Sequence, residues 1–336
     1  MKHWSRATVS IVATASVLLL AACGSGGSSS TAALNIAFLP KQVNNPYFDT
    51  AAAGGKKAAT ELNGKFTQVG PSSANAAAQV PYIQTLTQQH VSAICISGDD
   101  PEAVAPALKQ AMAAGIKVVS YDADVDPSAR QIFINQADAQ DLGTSEVDLI
   151  GQELNYTGEI AILSAAATAA NQNTWIGYMK QELATPKFAN MKLDTIVYGN
   201  DDDTTSYNLT QQLLQSYPNL KGIIAPTTVG IAAAARYIDS NHLTGKVLVT
   251  GLGTPNQMRQ FVKDGTVKQF ELWNVNNLGY VAYYAAAALV QGKITGKQGD
   301  TFTAGSLGKF TVGAQGTVLL GKPYVFDSSN TDQFNF

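Results

Sequence analysis

Short apolar segments rich in Ile and Val recur along the chain and alternate with longer amphipathic segments. The apolar segments show no polar alternation, which is typical of strands buried on both faces of a sheet. The predicted strands are 34–39, 93–97, 117–121, 159–163, 194–198, 222–225, 246–250 and 267–273. The predicted helices between them include 101–114, 173–184, 205–217 and 229–240. This alternation predicts an α/β fold with parallel sheets and right-handed crossovers.

The same pattern starts again near the middle of the chain. A strand-like segment at 35–39 opens the first half and another at 159–163 opens the second, and a polar loop and a long helix follow each. We therefore predict two similar doubly wound parallel-sheet lobes. In open sheets of this kind, ligands bind outside the carboxyl ends of the strands. The Ala-rich segment 279–291 predicts a further helix that returns to the first lobe, and 308–326 predicts extended strands with Gly turns.

The first residues have the pattern of an export signal and are set aside from the fold prediction. Lys2, His3 and Arg6 form a basic start, and the apolar run 9–20 that follows is too short to span a membrane as a stable helix. We expect 1–22 to be a signal peptide that directs the chain out of the cytoplasm.

The end of this signal indicates a lipid anchor. Small residues lead to Cys23, as in lipoprotein signals, and the Gly- and Ser-rich residues 24–30 are typical of a flexible tether. We expect Cys23 to carry lipid and 23–33 to be the tether, with ordinary secretion as the alternative. The second cysteine, Cys95, stands in an apolar segment where a buried, inert thiol is expected.

Composition narrows the function of the exported chain. The 336 residues are long enough for two domains, and 45% of them are hydrophobic, which excludes whole-chain disorder. Only 14% are charged and the formal net charge is −3, which argues against a basic surface for nucleic acid. Ser, Thr, Asn, Gln, Gly and Ala take the place of Lys and Glu, so neutral hydrogen-bonding groups are abundant.

Polar and aromatic side chains follow the predicted strands, at the edge where a ligand is expected. They offer amides, hydroxyls, carboxylates, one ammonium and several aromatic faces. A carboxylate or phosphate ligand would call for an Arg clamp, and no Arg stands among them. A neutral polyhydroxylated ligand suits the set, because hydroxyls need donors and acceptors and C–H faces pack on aromatic rings. The candidate ligand residues are Lys41, Asn45, Tyr47, Phe48, Asp122, Asp124, Asn171, Gln172, Trp175, Pro226, Thr227, Thr228, Trp273 and Asn274.

Each candidate also has a purely structural interpretation. Asn and Thr after a strand are common helix N-caps. A single carboxylate such as Asp122 often serves a turn, and Trp175 and Trp273 are ordinary core residues in many proteins. The ligand-binding interpretation gains weight because several strand ends carry the same chemistry.

Catalytic and metal sites find little support in the sequence. His90 and His242 lie in helix-end or loop contexts with no acid–base partner. The acidic run Asp201-Asp202-Asp203 lacks the Gly and distal Glu of a calcium loop, and we interpret it as a solvated loop that caps the next helix. Residues 251–256 lack the third Gly of a dinucleotide loop. We therefore expect no enzyme activity, no catalytic residue, no metal and no cofactor.

A family resemblance rests on motifs at the same strand ends. They are Phe38-Leu39-Pro40-Lys41, Asn45-Pro46-Tyr47-Phe48-Asp49, Tyr121-Asp122, Asn171-Gln172-Asn173-Thr174-Trp175, 223–230, 253–258, Leu272-Trp273-Asn274 and 332–336. Through them the chain from 34 to 336 resembles the periplasmic sugar-binding proteins of ABC importers, of the ribose-binding type. Within that type it is most similar to the rhamnose-binding subgroup, with the autoinducer-2-binding proteins as neighbours.

The autoinducer-2-binding group helps to separate the candidate ligands. Its pattern of a Lys, an Asp, a Gln and a Pro is similar to Lys41, Asp122, Gln172 and Pro226 of this chain. The chain departs from that pattern at Asn171 and Asn274, where the group has Asp, and at Thr228, where it has Ala. These departures change which ligand hydroxyls can be satisfied, and they agree with the rhamnose-type pattern.

The resemblance implies the architecture and the partners. It implies one lobe from 34–137 and 276–305, another from 138–275 and 306–336, and a multi-strand hinge between them. It implies a lipid-anchored, extracytoplasmic and monomeric protein that passes a sugar, expected to be L-rhamnose, to an ABC permease. Autoinducer-2, ribose or another monosaccharide is the alternative ligand. A sugar sensor or an exported carbohydrate enzyme is the alternative class.

Overall fold

The predicted alternation of strands and helices is present in the computed structural model, which describes residues 33–336. The predicted signal peptide 1–22, Cys23 and the tether up to residue 32 lie outside the described residues. Residues 33–336 form one compact unit with its own buried core, and a chain that lacks residues 1–23 retains all of it.

A six-stranded parallel sheet forms the first half of this unit. Its strands in chain order are β1 (Asn35–Leu39), β2 (Lys65–Gln68), β3 (Ala93–Ile96), β4 (Lys117–Tyr121), β5 (Ile132–Asn135) and β13 (Thr317–Leu319). They are arranged in the order β13-β5-β4-β3-β1-β2. The helices α1 (Pro46–Glu61), α2 (Ala76–Gln88) and α3 (Pro101–Ala113) connect the first four strands. Residues of β1, β3 and β4 are almost all buried, as strands covered on both faces require.

A four-stranded parallel sheet forms the second half. Its strands are β6 (Thr157–Ser164), β7 (Asn190–Tyr198), β8 (Leu220–Ala225) and β9 (Leu248–Gly251), in the order β7-β6-β8-β9. The helices of this half are α4 (Ala139–Glu153), α5 (Ala170–Leu183), α6 (Asp203–Ser216), α7 (Thr228–Ser240) and α8 (Pro255–Lys263). Two parallel α/β sheets in one chain confirm the predicted fold class.

The remaining elements lie outside the two parallel sheets. They are β10 (Phe270–Leu272), α9 (Val275–Val290), β11 (Thr301–Thr303), β12 (Lys309–Thr311) and β14 (Tyr324–Phe326). Strands β10 and β14 pair antiparallel, and β11 and β12 form a second antiparallel pair. Helix α9 packs against α1 so closely that a Cβ on Gly279 would lie 1.8 Å from the carbonyl oxygen of Ala51. Only Gly permits this approach of the two backbones.

The chain passes between the sheets at three short segments. These are 136–138 between β5 and α4, 273–274 between β10 and α9, and 320–323 between β13 and β14. The third passage differs from the predicted assignment of 306–336 to the second lobe, because β13 pairs with β5 in the six-stranded sheet. Its three residues complete a parallel edge, and nothing in a three-residue sequence indicates which sheet has a free edge there.

Two further findings concern buried and apolar segments. Cys95 is fully buried in β3, and burial raises the pKa of its thiol well above the ordinary value, as expected of an inert thiol.

In the part of the chain from 33 onward, the helices are all too short or too polar to cross a membrane.

Candidate functional site

A cavity lies at the carboxyl ends of the strands of both sheets. The empty space inside it is about 380 Å³, part of which is open solvent. It is lined by Lys41, Asn45, Tyr47, Phe48, Asp122, Asn171, Gln172, Trp175, Asp201, Pro226, Thr227, Thr228, Leu252, Leu272 and Trp273. Every predicted ligand residue except Asp124 and Asn274 is in this set.

Asp122 is the centre of the hydrogen bonds on the first-sheet side. It follows β4 with a left-handed backbone (φ 62°), and its side chain is 7% exposed. The Tyr47 hydroxyl donates to Oδ1 over 3.0 Å, and the Ser97 hydroxyl donates to Oδ2 over 2.6 Å. The Lys41 ammonium lies 3.6 Å from Oδ2. These partners hold the carboxylate in one orientation at the wall of the cavity.

The Tyr47 hydroxyl has both of its hydrogen-bonding roles occupied. It donates to Asp122, and it accepts a bond of 3.1 Å from the indole Nε1 of Trp273. Burial, together with the negative charge of Asp122, raises the pKa of Tyr47 well above the ordinary value. The hydroxyl therefore stays protonated and remains a donor to Asp122. The sequence predicted Tyr47 as a ligand residue that offers an aromatic face, and this polar role was not predicted.

On the second-sheet side, Asn171 and Gln172 present amide groups to the cavity. The Gln172 Oε1 accepts from the Ser164 hydroxyl (2.6 Å) and from the backbone N–H of Ala165 (2.8 Å). The Asn171 Oδ1 accepts from the backbone N–H of Gln172 (2.9 Å) and from Lys41 (3.4 Å). Because these bonds use the amide oxygens, the two NH₂ groups are the donors left for a ligand.

Thr227 occupies the N-cap position of α7, yet its side chain makes no capping hydrogen bond. Its hydroxyl donates instead to the carboxylate of Asp201, which lies after β7 with a left-handed backbone (φ 50°). Burial raises the pKa of Asp201, while the bond from Thr227 and the positive charge of Lys41 oppose that rise. The interpretation of the acidic run 201–203 as a solvated cap is therefore wrong for Asp201, although Asp202 does cap α6.

Aromatic and aliphatic side chains complete the cavity wall. The ring centroid of Trp273 lies 6.0 Å from that of Tyr47 and 6.1 Å from that of Trp175. Tyr47 meets Phe48 edge to face, with centroids 5.1 Å apart. Leu252 and Leu272, neither of them predicted, add aliphatic surface, and both are at least 98% buried. The C–H faces of a small ligand can pack on such walls.

The two remaining predicted residues serve other purposes. Asp124 forms a bidentate ion pair with Arg130, with nitrogen–oxygen distances of 2.5 and 2.6 Å, and it also accepts from Ser120. Asn274 caps α9, where its Oδ1 accepts from the backbone N–H of Asn277 over 3.1 Å. A structural interpretation therefore accounts for both side chains.

The residues that sequence analysis missed had weak signals. Leu252 and Leu272 stand at strand ends, but an apolar residue there has the same pattern as the core. Asp201 was visible only as part of an acidic run. Among residues 33–336, no group of three His, Cys, Asp or Glu side chains is placed to hold a metal ion. The site thus consists of amides, hydroxyls, one buried ammonium, two carboxylates and apolar walls.

Comparisons with known proteins agree with this geometry. The model of the periplasmic binding protein domain matches residues 36–294. A solved sugar ABC transporter protein from Actinomyces odontolyticus is 46% identical, over 92% of this chain and 100% of that chain, with a TM-score of 0.73. An ABC transporter solute-binding protein from Clostridium phytofermentas with bound L-rhamnose is 35% identical, over 90% and 98%, with a TM-score of 0.86.

A third structure is LsrB from Clostridium saccharobutylicum in complex with AI-2. It is 26% identical, over 90% of this chain and 99% of that chain, with a TM-score of 0.85. These relatives are binding proteins, which points to a non-enzyme. The predicted resemblance to the ribose-type sugar-binding proteins is confirmed. The chain belongs to the periplasmic binding protein domain family, as an extracytoplasmic sugar-binding protein of the ABC transporter type.

Proposed function

We propose that this protein binds L-rhamnose between its two lobes and delivers it to an ABC permease. The observation that carries the proposal is the composition of the cavity wall. Neutral donors and acceptors surround the Lys41–Asp122 pair and the Asp201 carboxylate, and Trp175, Trp273, Leu252 and Leu272 supply apolar surface. Rhamnose combines ring hydroxyls with an apolar methyl group, so it needs both kinds of surface.

Two residues favour rhamnose over autoinducer-2. Asn171 and Thr228 stand where the autoinducer-2-binding group has Asp and Ala. An amide donor and an additional hydroxyl change the hydroxyl pattern that the wall can satisfy, and an unsatisfied buried polar group costs about 1–3 kcal/mol. The relative from Clostridium phytofermentas, which carries L-rhamnose, supports the same ligand.

The proposed mechanism is closure of two lobes on the sugar. In this proposal the lobes comprise the two sheets with their helices. Side chains of the first sheet already contact the second, through Lys41 to Asn171 (3.4 Å) and through Gln42 Nε2 to the carbonyl oxygen of Asp201 (3.0 Å). A sugar that bonds to both lobes stabilises this closed state, which the permease then recognises.

Calorimetric titration of the chain lacking residues 1–23 tests the ligand. L-rhamnose, ribose, galactose and autoinducer-2 are titrated separately, and rhamnose is expected to bind most tightly. Tighter binding of ribose or galactose would replace rhamnose within the same class of function. Tighter binding of autoinducer-2 would show that Asn171 and Thr228 do not discriminate as proposed. Turnover of the bound sugar would contradict a binding protein without catalysis.

We further propose that Cys23 anchors the protein to the membrane by lipid, after removal of 1–22. Small residues before Cys23 and the Gly- and Ser-rich residues after it support this proposal. The Cys23→Ser variant is expected to leave the membrane fraction, while wild-type protein remains in it. Equal membrane association of both, measured by fractionation and immunoblotting, would contradict the anchor.

A further inference from the structure

Asp201 lines the cavity, but neither the predicted ligand set nor the resemblance to known binding proteins assigns it a role. It lies in the turn between β7 and α6, and this turn is fixed to the end of β6. The backbone N–H groups of Gly199 and Asn200 donate to the carbonyl oxygens of Ser164 and Ala165, each over 2.8 Å. The turn therefore holds Asp201 beside the same strand end that positions Gln172.

The carboxylate of Asp201 is held on one side only. Its Oδ1 accepts from the Thr227 hydroxyl, whereas Oδ2 accepts no hydrogen bond from residues 33–336. Thr227 makes this bond instead of a capping hydrogen bond to α7, although a Thr cap stabilises a helix by about 1 kcal/mol. An oriented carboxylate with a free oxygen at a cavity wall is suited to accept hydrogen bonds from a ligand.

Asp201 is also electrostatically linked to the other charges of the site. The charges of Lys41 and Asp122 both act on it, in opposite directions. The cavity thus has one carboxylate on the first-sheet side and one on the second, with the Lys41 ammonium close to both. Hydroxyl groups on two different parts of a small ring can each donate to a carboxylate in this arrangement.

From this geometry we infer that Asp201 is a specificity-determining residue that accepts a hydrogen bond from one hydroxyl of the bound sugar through Oδ2. This inference rests on the proposed function, because it needs a polyhydroxylated ligand in the cavity. Together with Asp122 it makes the site select for ligands that present hydroxyl donors to both lobes. A ligand that lacks the hydroxyl facing Asp201 covers this carboxylate without offering it a donor, so it binds weakly.

The test combines variants of Asp201 with sugars that lack one hydroxyl. L-rhamnose and its 2-deoxy, 3-deoxy and 4-deoxy derivatives are titrated calorimetrically into wild-type protein, Asp201→Asn and Asp201→Ala, each lacking residues 1–23. We expect Asp201→Asn to weaken rhamnose binding at least tenfold. We also expect one deoxy sugar to bind wild-type protein more weakly than rhamnose does. The same deoxy sugar should bind Asp201→Ala as tightly as rhamnose does. That coupling identifies the hydroxyl that Asp201 contacts.

Asp203→Asn is the matched control, because this substitution removes the same charge two residues away from Asp201. Its side chain is exposed and pairs with Arg236 outside the cavity, so rhamnose affinity is expected to remain within twofold of wild type. Thermal unfolding of each variant checks that it is folded.

The inference is overturned if folded Asp201→Asn binds rhamnose as tightly as wild type, or if every deoxy sugar loses the same factor in wild type and Asp201→Ala. Failure of the wild type to bind rhamnose overturns the rhamnose proposal instead. The Asp201 comparison is then made with the sugar from the titration panel that binds, and the same two outcomes decide it. A wild type that binds none of the sugars overturns both.

Discussion

The Asp122→Asn variant is expected to bind the sugar on the order of 100-fold more weakly than wild type, because a hydrogen bond to a charged group contributes about 1.5–3 kcal/mol and each 1.4 kcal/mol is tenfold. Asp122 is the one carboxylate of the cavity that is held by three partners. The amide of Asn keeps one acceptor oxygen but replaces the other with an NH₂ group. That group faces either Tyr47 or Ser97, each of which donates to the wild-type carboxylate, so one of these two bonds and the orientation that it fixes are lost as well.

Asn is the appropriate replacement on structural grounds. Asp122 has a φ of 62°, a left-handed conformation that Asn adopts readily and that strains most other residues, including Ala. The two side chains are also nearly equal in size, so the variant is expected to fold. Calorimetric titration with L-rhamnose measures the loss of affinity, and thermal unfolding confirms that the variant is folded.

Asp124→Asn separates binding from stability. Asp124 undergoes the same change of charge two residues away, but its carboxylate pairs with Arg130 outside the cavity. Loss of the ion-pair partner of the buried Arg130 side chain is expected to lower the free energy of unfolding and to leave sugar affinity nearly unchanged. Equal losses of affinity in the two variants would contradict the assignment of Asp122 to the site. A loss in Asp124→Asn alone would restore Asp124 as the ligand residue.

The strands and the position of the site could be predicted because both follow from local sequence. A segment such as 93–96 is apolar at every position only when both of its faces are covered, and that predicts a parallel sheet. The site then follows from topology, because ligands bind outside the carboxyl ends of such strands. Lys41, Asp122 and Gln172 each come shortly after a strand end and were predicted on that ground.

The hydrogen-bond partners of the site could not be predicted, because they come from distant parts of the chain. Thr227 and Asp201 are 26 residues apart, and Tyr47 and Trp273 are 226 apart. A Thr before a helix has the pattern of a cap until its true acceptor is known. Asp124 illustrates the opposite error, since only the fold shows that its nearest cation is Arg130.

A pair of buried carboxyl groups beside the passage from β10 to α9 makes the stability of the protein depend on pH. Glu146 on α4 and Glu271 on β10 are each 99% or more buried. The Ser145 hydroxyl donates to Glu271 Oε2 over 2.7 Å, but within residues 33–336 no hydrogen bond reaches Glu271 Oε1 or either oxygen of Glu146. No ion pair among those residues includes either side chain.

The sign of the pH dependence follows from the direction of the pKa shifts. Burial raises the pKa of Glu271 from 4.5 to about 8, with Ser145 opposing the rise and Asp141 adding to it. Burial and the charge of Glu271 raise the pKa of Glu146 in the same direction. Between pH 4.5 and about 8, these carboxyl groups lose their protons in the unfolded chain but keep them in the folded protein. The stability that these two carboxyl groups contribute is therefore fully present below pH 4.5, and it falls as the pH rises toward 8 by about 1.4 kcal/mol per pH unit for each carboxyl.

Glu271→Gln is expected to remove the contribution of this carboxyl. The amide has the same shape, is neutral at every pH and keeps an oxygen to accept from Ser145. At pH 8 the variant should exceed wild type in the free energy of unfolding, on the order of 4 kcal/mol. Urea unfolding, followed by the fluorescence of Trp175 and Trp273 from pH 5 to 9, measures this difference.

The comparison between the two curves is more informative than either curve alone. Glu153, whose pKa burial raises to about 7, leaves a residual slope in the variant, so the slope should decrease rather than vanish. Glu102→Gln, at an exposed site on α3, is the matched control and should run parallel to wild type. Parallel curves for Glu271→Gln and wild type would instead mean that Glu271 is ionised in the folded protein, which requires a cation or solvent to reach it. The difference in the free energy of unfolding between Glu271→Gln and wild type should be smallest near pH 5. At that pH Glu146 and Glu271 stay protonated in the folded wild type, and the same carboxyl groups have only begun to ionise in the unfolded chain.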